Sequence, residues 1–193
     1  NSEYLFKPVK KLDISPNVDV AIAFVLASEE AVKKLDVEPI WLKGFGWSSE
    51  TPWLSTRSMD AKYATMASKM AYKMAGIANP KKEIDIAEVD DRFSYKELQH
   101  LEAIGLSEPG EARKMLDSGD LDLKGSLPTN ISGGSLGIGN CFEATRVQRP
   151  LMIVTQLREH AGKRQIANAQ TGVAQSWRGI PSGSGAAAVF GRE

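Results

Sequence analysis

Thr129-Asn130-Ile131-Ser132-Gly133-Gly134-Ser135-Leu136-Gly137-Ile138-Gly139-Asn140-Cys141-Phe142-Glu143-Ala144-Thr145 decides how the rest of the chain is read. Four glycines fall within Gly133–Gly139. Such a run suits neither an ordinary helix nor a strand, because glycine there permits positive φ and close approach of the backbone to another group. Apolar residues then recur at Ala144, Val147, Leu151, Val154 and Leu157. Their alternating spacing of three and four predicts an amphipathic helix over 142–159, with those five residues inward and a kink at Pro150. A glycine loop therefore feeds a helix N-terminus with Asn140-Cys141 at the junction. Free N–H groups and the positive dipole end there suit an anion, a thioester carbonyl or a developing oxyanion. A loop that only packs a helix on a sheet is the alternative.

Upstream, Val18–Leu26 is a nearly unbroken apolar run, read as a strand buried on both faces. Ser28 is placed to cap a helix through about Leu35, with Glu29 and Glu30 at its start and Lys33 and Lys34 at its end. Pro39–Trp47 is a second strand candidate. A long helix from Ser58 carries Met59, Tyr63, Met66, Met70, Met74 and Ile77 at helical spacing, a stripe expected to be core. Ile84–Val89 is a third strand. Ser94 and Glu97 form a capping-box pattern with Phe93 and Leu98 as its staple, opening a helix that stops at Gly105. A short helix near 109–116 and a polar loop over 117–128 follow. The last strands are expected at 166–174 and 186–190, with a loop over 175–185 between them. Strands alternating with helices predict an α/β fold: a mixed, mostly parallel sheet with helices on both faces, in one domain spanning 1–193. Two loops then fall at strand-to-helix junctions, Asp90–Phe93 and Gly139–Cys141, where ligands gather in open α/β sheets.

The composition narrows the classes. The 193 residues are 42% hydrophobic and 25% charged, with a formal net charge of zero. That balance gives no reason to expect nucleic-acid or polybasic membrane binding. One cysteine excludes an internal disulfide, and with two histidines it leaves no basis for a metal centre. No apolar run is long enough to span a membrane and no signal peptide is visible, so a cytoplasmic protein is expected. The chain opens on Asn1 rather than methionine, which suggests processing or a longer polypeptide.

The order and content of these stretches resemble the C-terminal half of a thiolase, over nearly the whole chain. Ser15–Ala21 resembles the segment that opens the second half and contacts the pantetheine arm. Glu88-Val89-Asp90-Asp91-Arg92-Phe93-Ser94 is similar to the family's Asn-Glu-Ala-Phe or His-Asp-Cys-Phe loop. Asn130–Gly134 through Gly139-Asn140-Cys141 is similar to Asn-Pro-Ser-Gly-Gly through Gly-His-Pro. Gly183-Ser184-Gly185 is similar to the closing glycine loop. The resemblance implies a pocket for a coenzyme A thioester touched by Ser15, Gly134 and Gly183. It also implies carbon–carbon bond cleavage or formation as an acyl-CoA C-acyltransferase (acetyl-CoA acetyltransferase family) of lipid metabolism. The cysteine nucleophile would come from the N-terminal half, which this chain lacks.

Departures from the family matter as much. Its catalytic histidine is matched by Asn140, which cannot take a proton. Asp90 stands where an oxyanion donor is expected, and Arg92 where some members carry a cysteine acid/base. The closing loop reads Gly179-Ile180-Pro181-Ser182, similar to thiolase-like proteins that work beside a small zinc-ribbon and OB-fold partner. Asn140, Asp90 and Arg92 are the candidate catalytic residues. Asn140 would donate a hydrogen bond, and Asp90 or Arg92 would set the charge. A helix cap for Asn140 and a capped ion-paired loop for the other two are the alternatives. Cys141 reads as buried packing, His100 as structural, Tyr95 as a first-turn residue or an aldol-type acid/base. Trp177 and Arg178 line either a pocket or a loop. A thiolase-fold retro-aldolase and a non-catalytic thiolase-like subunit remain alongside the acyltransferase reading. All three readings imply a second thiolase-like half as partner and an oligomer. The loops 90–93 and 137–141 are expected to face each other across a pocket, with 182–185 as its third side. A segment at 18–26 that is solvent-exposed, or unpaired to the other strands, would collapse the thiolase reading.

Overall fold

The computed structural model describes residues 2–35, 37–51, 53, 55, 60–179 and 183–192. The chain opens with a small antiparallel ladder, β1 (Tyr4–Phe6) with β2 (Val9–Lys10), and a one-turn helix α1 (Glu29–Val32). The Ser28 hydroxyl accepts from Ala31 N at 3.3 Å, so the expected cap is present. Then come β3 (Trp41–Ser49), α2 (Lys62–Ala75), α3 (Pro80–Glu83), β4 (Ile86–Glu88), α4 (Ser94–Ala103) and α5 (Ala112–Ser118). The glycine loop forms α6 (Gly134–Ile138), and α7 (Thr145–Leu157) follows. The chain ends in β5 (Thr171–Gly179) and β6 (Ser184–Gly191).

These strands make one mixed sheet in the order β3-β6-β5-β4. β6 is antiparallel to β3 and β5, and β4 is parallel to β5, so β3, β4 and β5 run the same way. Ala87 also bridges Thr129 in parallel. The carboxyl ends of β3, β4 and β5 and the start of β6 therefore share one edge of the sheet.

The period of two along each strand sorts side chains onto two faces. Ala87, Val89, Val173, Ala187 and Val189 pack with α2 and α4, while Ile86, Ala174, Ala188 and Phe190 pack with Ile153 and Leu157 of α7. Helices cover both faces, as expected.

Several expectations are corrected. The segment 18–26 is no strand and joins none of the strands of the sheet, and Val25 and Leu26 are 91% and 83% exposed. Met66, Met70 and Met74 are exposed, because α2 docks through Ala64, Ala67 and Ala71. The start of that helix at Ser58 and Met59 lies outside the described residues. The inward face of α7 is Thr145, Arg149, Ile153, Gln156 and Leu157, whereas Val147 is exposed and Ala144, Leu151 and Val154 are half-buried. Pro150 does lie inside it. Ser94 does not cap α4; its hydroxyl donates to Asp13 Oδ1 at 2.9 Å, and Glu97 accepts from Asn130 Nδ2 at 3.0 Å. The stretch expected as a loop over 175–185 is a hairpin whose strands reach Gly179 and restart at Ser184. Among the described residues no helix is long and apolar enough to cross a membrane. No group of three or more His, Cys, Asp or Glu among them could hold a metal ion.

Candidate functional site

β4 ends at Glu88 and the chain turns through Val89–Phe93 into α4, which sets Asp90, Asp91 and Arg92 on the carboxyl edge of the sheet. The glycine loop reaches the same edge because Asp91 holds it. The Asp91 carboxylate accepts from Ser135 N at 2.7 Å and Leu136 N at 3.1 Å. These are orphan donors at the start of α6, which a carboxylate satisfies well. Gly134 has φ +56°, and a Cβ there would sit 2.0 Å from Asp91 Oδ2. The glycine thus makes room for the Asp91 carboxylate.

The two expected loops converge, with chain between them rather than an open pocket. Residues 14–18 run through the gap. Ser15 N donates to Arg92 O at 2.9 Å, Asn140 N to Pro16 O at 2.7 Å, and Val18 N to Asn140 O at 3.1 Å. Ser15 is buried there. Gly183 closes the β5–β6 hairpin through Gly183 N to Gly179 O at 2.9 Å, and its carbonyl accepts from Glu50 N at 3.2 Å. Ile180, Pro181 and Ser182 of the expected closing loop lie outside the described residues.

Asn140 is 8% exposed and its amide is oriented. The carbonyl end, Oδ1, accepts from Phe142 N and from the Thr145 hydroxyl, both at 3.2 Å. A backbone donor can only face an oxygen, so the NH₂ end points the other way, toward Asn17 Oδ1 at 3.4 Å. That group has a second N–H to give. Cys141 is buried, with Sγ 3.9 Å from Gln148 Oε1, in keeping with packing.

Asp90 is 1% exposed and lies between two guanidiniums, Arg149 Nη2 at 3.2 Å and Arg92 Nε at 3.2 Å. Burial by itself would raise its carboxyl, yet Arg149 and Arg92 hold it below the ordinary aspartate value. Arg92 also donates to Trp177 O and lies 5.0 Å over the Trp177 ring. Lys96 covers the same ring at 4.3 Å, and burial lowers its ammonium. His100 is enclosed. Its Nδ1–H donates to Asp90 O at 2.7 Å and its Nε2 accepts from the Tyr63 hydroxyl at 2.9 Å. Burial pushes its imidazole down to about 4, so it is neutral and structural. Tyr95 is exposed in the first turn of α4. Trp177 and Arg178 do not share a pocket, because adjacent strand residues point to opposite faces: Trp177 is buried toward α2 and Arg178 is exposed.

The sequence reading missed Arg149. It is 3% exposed and its guanidinium joins Asp90, Asp91, Val89 O at 3.1 Å, Ser135 Oγ at 2.9 Å and Ser176 Oγ at 3.4 Å. The signal was present, since two consecutive carboxylates at a strand end need a cation when buried. Glu88 was missed as well. It accepts from Ser132 N and the Ser132 hydroxyl at 3.1 and 2.8 Å, and burial pushes its carboxyl up to about 7.

Comparison with known proteins adds a lineage. Residues 48–192 match the family model described as thiolase C-terminal domain-like. The whole chain is 32% identical to an acetyl-CoA acetyltransferase of Methanothermobacter thermautotrophicus, of which it covers 50%. It is 33% identical over 82% of its length to an acetyl-CoA acetyltransferase of Methanocaldococcus jannaschii, covering 42% of that protein. Sterol carrier protein 2 of Oryctolagus cuniculus is 30% identical over 88% of the chain, which covers 32% of it. The chain thus spans half or less of each of these relatives. Among solved structures, the Ltp2-ChsH2(DUF35) aldolase shares the fold at TM-score 0.81 and 22% identity, over 99% of this chain and 49% of that one. Human mitochondrial 3-ketoacyl-CoA thiolase does so at TM-score 0.54 and 23% identity, over 86% of this chain and 34% of that one.

Proposed function

The chain belongs to the thiolase C-terminal domain-like family, and on that premise we propose that it is the C-terminal half of an acyl-CoA C-acyltransferase. Its substrate is a coenzyme A thioester, on which a carbon–carbon bond is made or broken. The cysteine nucleophile belongs to the other thiolase half, which packs against this one. A small zinc-ribbon and OB-fold protein is a further partner on this reading. The observation that carries the reading is the Asn140 amide. Phe142 N and the Thr145 hydroxyl hold its oxygen, so its NH₂ end is fixed as a donor; one N–H faces Asn17 Oδ1 at 3.4 Å, and the other is the donor this reading assigns to the thioester. A fixed donor stabilises a developing oxyanion without itself changing protonation. Asp90 does not oppose this, since its charge is matched by Arg149 and Arg92.

The test uses the intact protein with both halves present. Asn140→Ala is expected to lower kcat for acyl-CoA thiolysis or condensation by roughly a hundredfold or more, the usual loss for one oxyanion donor. Cys141→Ser is expected to be nearly silent. A second reading is a non-catalytic subunit that supports an active partner. It is favoured by the engagement of this edge's titratable groups: Asp90 is ion-paired, His100 is neutral and enclosed, and Cys141 is buried. Full activity in Asn140→Ala would select that second reading.

A further inference from the structure

A cavity of about 310 Å³ opens at the carboxyl edge of the sheet, lined by Trp47, Ser49, Arg146, Ser176, Arg178 and Ser184 among others. The strand register puts Trp47, Ser49, Ser176 and Arg178 on the face that α7 covers, and Arg146 enters from the first turn of α7. The lining is chemically one-sided. It offers two guanidiniums and three hydroxyls, all able to donate, and an indole wall.

The positive charge there is crowded. Burial, with Arg92 and Arg178 nearby, holds the Arg146 guanidinium below its ordinary value. Among the described residues Glu143 pairs with Arg146 and lies 4.0 Å from Arg178, and Asp90 also acts on Arg146. Glu143 is on the rim, with its side chain 70% exposed, and Arg178 is 63% exposed, so solvent screens both, while Arg146 is 27% exposed. The cavity lies near the Asn140–Arg92 edge: Arg92 acts electrostatically on Arg146, and Arg146 follows Thr145, whose hydroxyl orients Asn140.

We infer that this cavity is an anion subsite for the acyl group, selecting coenzyme A thioesters whose acyl chain ends in a carboxylate. The inference rests on the proposed action on a coenzyme A thioester. A carboxylate accepts from guanidinium and hydroxyl donors together, and guanidinium matches it in a planar, two-bond geometry. The coenzyme's own phosphates lie at the far end of the pantetheine arm from the thioester carbon. A group bound at Arg146, one residue beyond the Thr145 that orients Asn140, is therefore read as part of the acyl chain. A plain alkyl chain offers these guanidinium and hydroxyl donors no acceptor.

The test is calorimetric binding to the intact protein, comparing succinyl-CoA with butyryl-CoA, which have equal chain length and differ at the terminal group. Succinyl-CoA is expected to bind at least about tenfold tighter, the size of one charge-assisted hydrogen bond. Arg146→Met and Arg178→Met should each reduce that preference and the double variant abolish it, with butyryl-CoA affinity kept within about threefold. Arg113→Met, on the remote exposed helix α5, should leave both affinities unchanged. No preference in the native protein overturns the subsite, as does a preference that survives the double variant. Equal loss of both thioesters in Arg146→Met also overturns it, assigning the arginines to the coenzyme's phosphates. If neither thioester binds the native protein, the proposed function itself falls. Loss of the preference alone leaves that reading standing.

Discussion

Arg149 shows what one buried side chain can settle. Its guanidinium ties the end of β4, the start of α6, β5 and its own helix to the Asp90–Asp91 pair. Removing one member of a buried ion pair leaves an uncompensated charge, and that cost exceeds the net worth of the pair. Arg149→Met is therefore expected to destabilise the fold by about 3–5 kcal/mol in denaturant unfolding. Adding Asp90→Asn should recover part of the loss, because the stranded carboxylate goes with it. Additive losses in the double variant would show that the two side chains act separately. At this scale the sequence displayed the carboxylates and the asparagine plainly. The cation that answers them lay hidden inside a helix whose apolar residues drew the inward face elsewhere.

Between elements, the contact of α2 with β3 is set by size. A Cβ at Gly44 would lie 2.0 Å from Ala71 O, and one at Gly46 would lie 2.1 Å from Ala67 O. Helix backbone and strand backbone approach so closely that only glycine and alanine fit the seam. This is why the methionine stripe of α2 faces outward: methionine side chains would hold the helix off the strand. Hydrophobic spacing identifies a helix face, but it does not rank two candidate faces by the room available. Gly46→Ala is expected to cost about 1–3 kcal/mol or more through overpacking against backbone, which cannot rotate away. For a chain of this size that lowers Tm by roughly 2–4 °C per kcal/mol in a thermal scan. An unchanged Tm would mean that α2 shifts freely.

Among the described residues apolar side chains lie uncovered in several places, including the extended segment 18–26, Phe45 on β3, the methionines of α2 and Val147 on α7. Large exposed apolar patches mark interaction surfaces. The family match begins at residue 48, after the segment 18–26, and the acetyl-CoA acetyltransferase from Methanothermobacter thermautotrophicus is twice the length of this chain. Segment 18–26, expected as a buried strand, is extended and exposed and counts against that part of the resemblance; the family match over residues 48–192 rests on other residues. We expect the 193-residue chain alone to self-associate in analytical ultracentrifugation, and co-expression with the other half to give one defined complex. A monodisperse monomer would argue against an obligatory second half.

By itself the sequence determined the alternation of strands and helices, the two strand-to-helix loops and the family resemblance. These depend on local spacing, on glycine's backbone freedom and on turn chemistry, all of which act over a few residues. The tertiary structure decided which helix faces turn inward and that Arg149 neutralises Asp90. It also decided that residues 14–18 fill the gap between the loops, and that Trp177 and Arg178 part to opposite faces. Those outcomes turn on distances between residues far apart in the chain, where close packing and the cost of an unpaired buried charge choose among arrangements that local pattern leaves equal.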